Sequence, residues 1–175
     1  MKNKEVLVQI LLMLRKNGIN NEKILFAVEK MPPHYFIHLV NNENKFYNSD
    51  YIELIRLLKI LQDALTDLDK IDNVLISGFR MGWFITVCSL LAKRIYSFSS
   101  EKNKIKRILK TFNFLNISNI YIKKSSNFTD WKQVAPFDLI ILFNKYDTIP
   151  YEVLKLLSRK GLLFFTKENN HKFSI

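Results

Sequence analysis

Glycine is scarce in this chain of 175 residues, which holds only four, and proline supplies another four. Collagen-like, linker-like and low-complexity readings are thereby excluded, because each needs several times that content. A single cysteine, Cys88, rules out a disulfide framework and any cysteine-cluster metal site. The three histidines, His34, His38 and His171, stand at no metal-ligand spacing with carboxylates, so no metal is expected. No apolar run reaches the ~18–20 residues of a membrane span. A phosphate loop of the GK[ST] kind and a Gly-x-Ser-x-Gly elbow are both missing, which leaves nucleoside-triphosphatase and hydrolase readings little support.

What is present is a chain able to bury a core, with 48% apolar residues and a formal charge of +11. The charge is unevenly placed. Residues 1–72 hold 10 basic and 10 acidic side chains, whereas residues 73–175 hold 17 and 6. Usage leans on Lys, Asn, Ile and Phe, which A/T-rich codons encode. The opening MKNKEVLVQILLMLRKNG has the basic start and apolar run of a signal peptide. It also carries Glu5 and Gln9, runs into Arg15 and Lys16, and offers no small-residue cleavage site. An N-terminal helix and a cytoplasmic protein are the expectation.

The spacing predicts helices over 3–17 and 21–30, parted by Gly18, with Asn20 as N-cap of the second and Pro32-Pro33 ending it. A longer helix runs from the Asn48-Ser49-Asp50 cap to about Leu65, its apolar residues wrapping more than one face. After Asp72 the period changes. Short apolar strands (74–76, 95–98, 120–122, 139–143 and 162–165) alternate with amphipathic helices over 83–92, 102–112 and 151–157. Continuous apolar strands between helices mark a parallel sheet covered on both faces, so a single α/β Rossmann-like domain is expected. It comprises a helical extension over 1–72 and a core over 73–175.

Ordered landmarks then resemble one family. LRKNGINNEKILFAVEKMPPHYFI is similar to the opening of the protein-L-isoaspartate O-methyltransferases, where a Gly-Ile turn precedes a helix, Val-Pro-Arg and Phe. VLISGFRMGW stands where that family has its cofactor loop, usually VLEIGTGSGY. Trp131, Ala135-Pro136-Phe137-Asp138, Pro150 and Arg159-Lys160-Gly161 resemble its later landmarks. All four glycines, with Pro32, Pro136 and Pro150, fall on such positions. The resemblance covers nearly the whole chain. It implies a class I methyltransferase sandwich with parallel strand order 3-2-1-4-5, S-adenosylmethionine as cofactor and damaged aspartyl residues as substrate. The family positions for the cofactor are Gly78, Arg80, Gly82, Ser99, Glu101 and Ser126.

The departures gather where the chemistry should be. The middle glycine of the loop is Arg80, flanked by Phe79 and Met81, whose side chains would fill the space of the cofactor's methionine end. Ser99 replaces the ribose-binding carboxylate after the second strand, with Glu101 two positions on, and Ser126 replaces the acidic residue after the third. The family's Gln-Thr-Ile-Ser-Gln-Pro loop has no counterpart, Pro33 stands for the arginine of Val-Pro-Arg, and the closing antiparallel hairpin is expected to be missing. No catalytic residue can be named.

Three functional readings follow. The first is a degenerate relative, a pseudoenzyme acting through surface contacts. The second is a working S-adenosylmethionine-dependent carboxyl methyltransferase with a reshaped site served by Arg80, Ser99 and Glu101. The third is a module for nucleic acid or another acidic surface, using Lys102, Lys104, Lys106, Arg107 and Lys110 with Lys93-Arg94 and Lys123-Lys124. Arg80, near a strand end and a helix start, could alternatively hold a carboxylate or phosphate. Asp138 is expected to tether a loop, Cys88 to be a small buried hydrophobe, and Trp83 and Trp131 to pack.

Overall fold

The structure is a computed structural model that describes residues 2–33, 48–68, 70–77, 82–167 and 173–174. Helix α1 (Lys2–Lys16) ends at Gly18, whose φ of 86° is a left-handed conformation that glycine adopts without strain. Helix α2 (Glu22–Lys30) follows, and its N-cap is Asn21 rather than Asn20: the Asn21 Oδ1 accepts from the N–H groups of Lys23 and Ile24. Asn20 is instead held through its own N–H by the Gln62 Oε1 at 2.8 Å. Helix α3 (Asn48–Asp67) then leads into the sheet.

The α/β part runs β1 (Asn73–Ser77), α4 (Gly82–Leu91), β2 (Arg94–Ser99), α5 (Lys102–Phe114), β3 (Ile120–Lys124), a 3-10 helix (Phe128–Val134), β4 (Phe137–Tyr146), α6 (Tyr151–Leu154), β5 (Leu157–Lys167) and β6 (Phe173–Ser174). The strands order as β3-β2-β1-β4-β5-β6. The first five are parallel in the expected 3-2-1-4-5 order.

Two expectations about the C-terminal part need correction. The closing hairpin is not wholly missing, because β6 pairs antiparallel with β5, Phe165 opposite Ser174. The expected helix over 151–157 shrinks to α6, and β5 begins at Leu157, five residues early. The reason lies in a register shift between Phe137 and Leu139, which lets Ser158–Gly161 bulge out while both ends of β5 stay paired with β4. Gly161 occupies that bulge because a Cβ there would lie 2.8 Å from the Phe137 carbonyl oxygen.

Alternation along β1 assigns the two layers. Val74 and Ile76 face a large core with α1 to α5, including Leu14, Ile24, Leu58, Phe84 and Phe112. Leu75 faces a smaller core built from Tyr96, Phe98, Trp131, Phe137 and Leu156, roofed by the 3-10 helix and α6. The helical extension is thus packed into the same core as the sheet. Among the described residues no helix is long and apolar enough to cross a membrane.

Candidate functional site

Strand β1 has β2 on one side and β4 on the other, so the order of strands reverses at β1. Ligands of open α/β sheets bind in the crevice beyond the carboxyl ends of the strands at such a switch point. Ser77, the last residue of β1, lies opposite Phe98 of β2 and Leu142 of β4 and marks the floor of that crevice. Of the expected cofactor loop, Gly78 and Arg80, with Phe79 and Met81, lie outside the described residues. Gly82 opens α4 and is buried. His34, His38 and His171 also lie outside the described residues. Among those described, no group of His, Cys, Asp or Glu could hold a metal ion.

Ser77 was not singled out from the sequence, yet it is the most unusual polar group of the crevice. It is fully buried, and among the described residues its Oγ has no hydrogen-bond partner. The signal was available: Ser77 shares a strand face with Leu75, so alternation sends a hydroxyl to a buried face. Beside it, the Ser97 hydroxyl donates to the Ile76 carbonyl at 2.7 Å and is satisfied. Ile76 occupies the position of the glutamate in the VLEIGTGSGY motif, and it is fully buried in the larger core. A carboxylate there has become an alkyl group, a third acidic position lost besides Ser99 and Ser126.

The structure brings Ser99 and Glu101 together at the carboxyl end of β2. The Ser99 Oγ accepts the Glu101 N–H at 3.2 Å. The Glu101 carboxylate turns along α5 and pairs with the Lys104 Nζ at 3.2 Å. Ser125 links β3 to this corner, its N–H donating to the Ser99 carbonyl at 3.0 Å. Ser126 next to it is exposed and begins the turn into the 3-10 helix.

Around the crevice the expected packing residues do as predicted. Trp83, in the first turn of α4, is buried and donates its indole N–H to the Met31 carbonyl at the end of α2. That bond ties the helical extension to the start of α4. Trp131 is buried against Tyr96 and donates to the Ser97 carbonyl at 3.3 Å. Asp138 does tether a loop: one carboxylate oxygen accepts the N–H groups of Asp72 and Asn73 at 2.9 and 3.0 Å, fixing the entry to β1. Cys88 is buried in α4, and burial pushes its thiol pKa up.

The basic residues divide. Lys102, Lys106, Arg107 and Lys110 lie exposed on α5. Lys104 is half-buried and paired with Glu101, off that face. Lys123 sits over the Trp131 ring at 4.1 Å, on the other side of the sheet.

No family model matches the chain. It is 26% identical over 157 residues to the protein-L-isoaspartate O-methyltransferase of Dictyoglomus turgidum, covering 86% of this chain and 71% of that one. The enzyme of the same name from Aliivibrio fischeri is 28% identical over 168 residues, covering 90% and 74%. Among solved structures, one from Plasmodium falciparum, described as a protein-L-isoaspartate O-methyltransferase in complex with S-adenosyl-L-homocysteine, superposes with a TM-score of 0.69 at 14% identity. It covers 94% of this chain and 85% of that one. A second protein-L-isoaspartate O-methyltransferase gives a TM-score of 0.71 at 16% identity, covering 91% of this chain and 54% of the other. Sequence relatedness over most of the length and the shared strand order lead to one conclusion: the chain is similar in sequence and in fold to the protein-L-isoaspartate O-methyltransferases.

Proposed function

We propose that this chain is a catalytically impaired relative of the protein-L-isoaspartate O-methyltransferases: a methyltransferase-like protein that no longer binds S-adenosylmethionine productively and acts through its surface. The observation that carries this reading is the corner of Ser99, Glu101 and Lys104. A ribose diol in such folds is held by a carboxylate at the end of the second strand, which accepts from both hydroxyls. Here that position offers a single hydroxyl already accepting the Glu101 N–H, and the nearby carboxylate is engaged by Lys104. Ile76 supports the same conclusion from the neighbouring strand, because an alkyl group accepts no hydrogen bond. The described residues therefore do not fit the cofactor. Arg80 at a loop position where glycine lets a ligand approach the backbone adds to the case from the sequence.

One observation favours the competing reading of an active enzyme with a reshaped site. The unpartnered Ser77 hydroxyl at the crevice floor is a polar group that a bound ligand would satisfy. A thermal-shift titration with S-adenosylmethionine and S-adenosylhomocysteine, backed by calorimetry, separates the two. A ligand that binds only the native state raises the Tm once its concentration passes the Kd. We expect no rise up to millimolar ligand. A rise that tracks concentration overturns the proposal and makes isoaspartyl-peptide methylation the next assay.

A further inference from the structure

We propose that the exposed face of α5, extended by Lys124, binds single-stranded nucleic acid, with the lysines on the phosphates and Phe114 under a base. The argument starts from how the helix spends its charge. Lys102, Lys106 and Lys110 recur every fourth residue, about 6 Å apart along one face, with Arg107 beside them. Among the described residues none of these four has an ion pair, and α5 has no acidic residue in its first turn and no basic one in its last. Both features work against the helix. Like charges at i,i+4 repel, and cations in the first turn face the positive end of the helix dipole. An anionic ligand reverses both penalties at once.

Lys124 lengthens the row. It pairs in register with Ser99, three residues before Lys102, and it shares a sheet face with Ile120 and Ile122, which pack beside α5. It is exposed.

Two further observations choose the partner. Of the apolar stripe of α5, Ile105, Ile108 and Phe112 are spent on the protein core and Leu109 alone is open, at 38% exposure, so the helix lacks the broad apolar face that sinks into a lipid surface. At the far end of the face, Phe114 is 66% exposed. A cationic track that ends in an open aromatic ring is the arrangement by which proteins hold single strands, phosphates on the charges and bases on the rings. The distance from Lys102 to Phe114, about 18 Å along the helix axis, spans a few nucleotides.

The test uses the full chain and a fluorescent twelve-nucleotide oligouridylate, titrated from low to physiological salt. We expect a log–log salt slope of about −3, from roughly −0.7 for each phosphate contact. The Lys102→Gln/Lys106→Gln/Lys110→Gln variant should lose at least about tenfold in affinity at low salt and flatten the slope toward about −1. A Lys16→Gln/Lys23→Gln/Lys59→Gln control, with the same change in net charge, should bind almost as the parent does. Phe114→Ala should weaken binding about tenfold at unchanged slope. No binding at low salt overturns the proposal, as does equal loss in both triple variants or an unaltered affinity in Phe114→Ala. Retention on phosphatidylserine vesicles without oligonucleotide binding overturns it in favour of a lipid surface.

Discussion

Asp138 and Cys88 show how single side chains hold this scaffold. One oxygen of Asp138 accepts two backbone N–H groups, Asp72 and Asn73, at the point where the chain leaves the helical extension and enters β1. Hydrogen bonds to a charged group contribute about 1.5–3 kcal/mol each when buried, and less in this partly open setting. Asp138→Ala should therefore cost about 2 kcal/mol in urea unfolding, and Asp138→Asn, which keeps an acceptor, clearly less. A loss no larger than that of an ordinary surface substitution would show that the tether is incidental. Cys88 is the opposite kind of residue, a thiol with nothing to do but pack. Its raised pKa means that the folded state keeps the proton where the unfolded chain releases it. The sign follows: its contribution is constant below the unfolded thiol's value of about 8.5 and declines above it, by up to about 1.4 kcal/mol per pH unit. Cys88→Ala should flatten the fall of stability between about pH 8.5 and 10, and the native thiol should resist alkylation until the protein is unfolded.

At the scale of elements, Gln62 is the joint between α3 and the turn that links α1 to α2. Its Oε1 accepts the N–H groups of Asn20 and Asn21, and its Nε2 donates to the Gly18 carbonyl. Three backbone groups of a tight turn are thus satisfied by one side chain from more than forty positions away. Gln62→Ala should destabilise the protein by about 1–3 kcal/mol and speed hydrogen exchange in the turn before it affects the sheet. Uniform exchange across the molecule would instead mean that the turn has no separate opening. The sheet depends on a comparable local device, the bulge at Ser158–Gly161. It absorbs the mismatch between β4 and β5 and exists because Gly161 can lie against the Phe137 carbonyl.

For the whole molecule, the decisive fact is that α1 to α3 do not sit beside the α/β part but pack into its larger core, together with α4 and α5. The Trp83 bond to the Met31 carbonyl and the Asp138 bonds to Asp72 and Asn73 cross the boundary between the two stretches. We propose that they fold as one unit. Thermal unfolding followed by far-ultraviolet dichroism and by tryptophan fluorescence should give coincident transitions, and separate midpoints would show two units.

The features legible from residue order alone were local or ordered along the chain. Apolar strands alternating with amphipathic helices determined the parallel α/β class, and the landmarks from Gly18 to Gly161 carried the strand order and the family resemblance. Buried Trp83, Trp131 and Cys88 and the tethering Asp138 were also legible, because each stood at a patterned or recognisable position. Other features belonged to the tertiary structure, because they depend on partners distant in sequence. The unpaired hydroxyl of Ser77 follows from what β2 and β4 place around it, and the capture of Glu101 by Lys104 from the way α5 leaves β2. The early start of β5 needed β4 as a template. The separation of Lys104 from the open face of α5 needed the sheet to show which side of the helix is covered. Pattern specifies which residues form an element and which face is apolar; only packing decides which polar groups are left without a partner and which charges remain free.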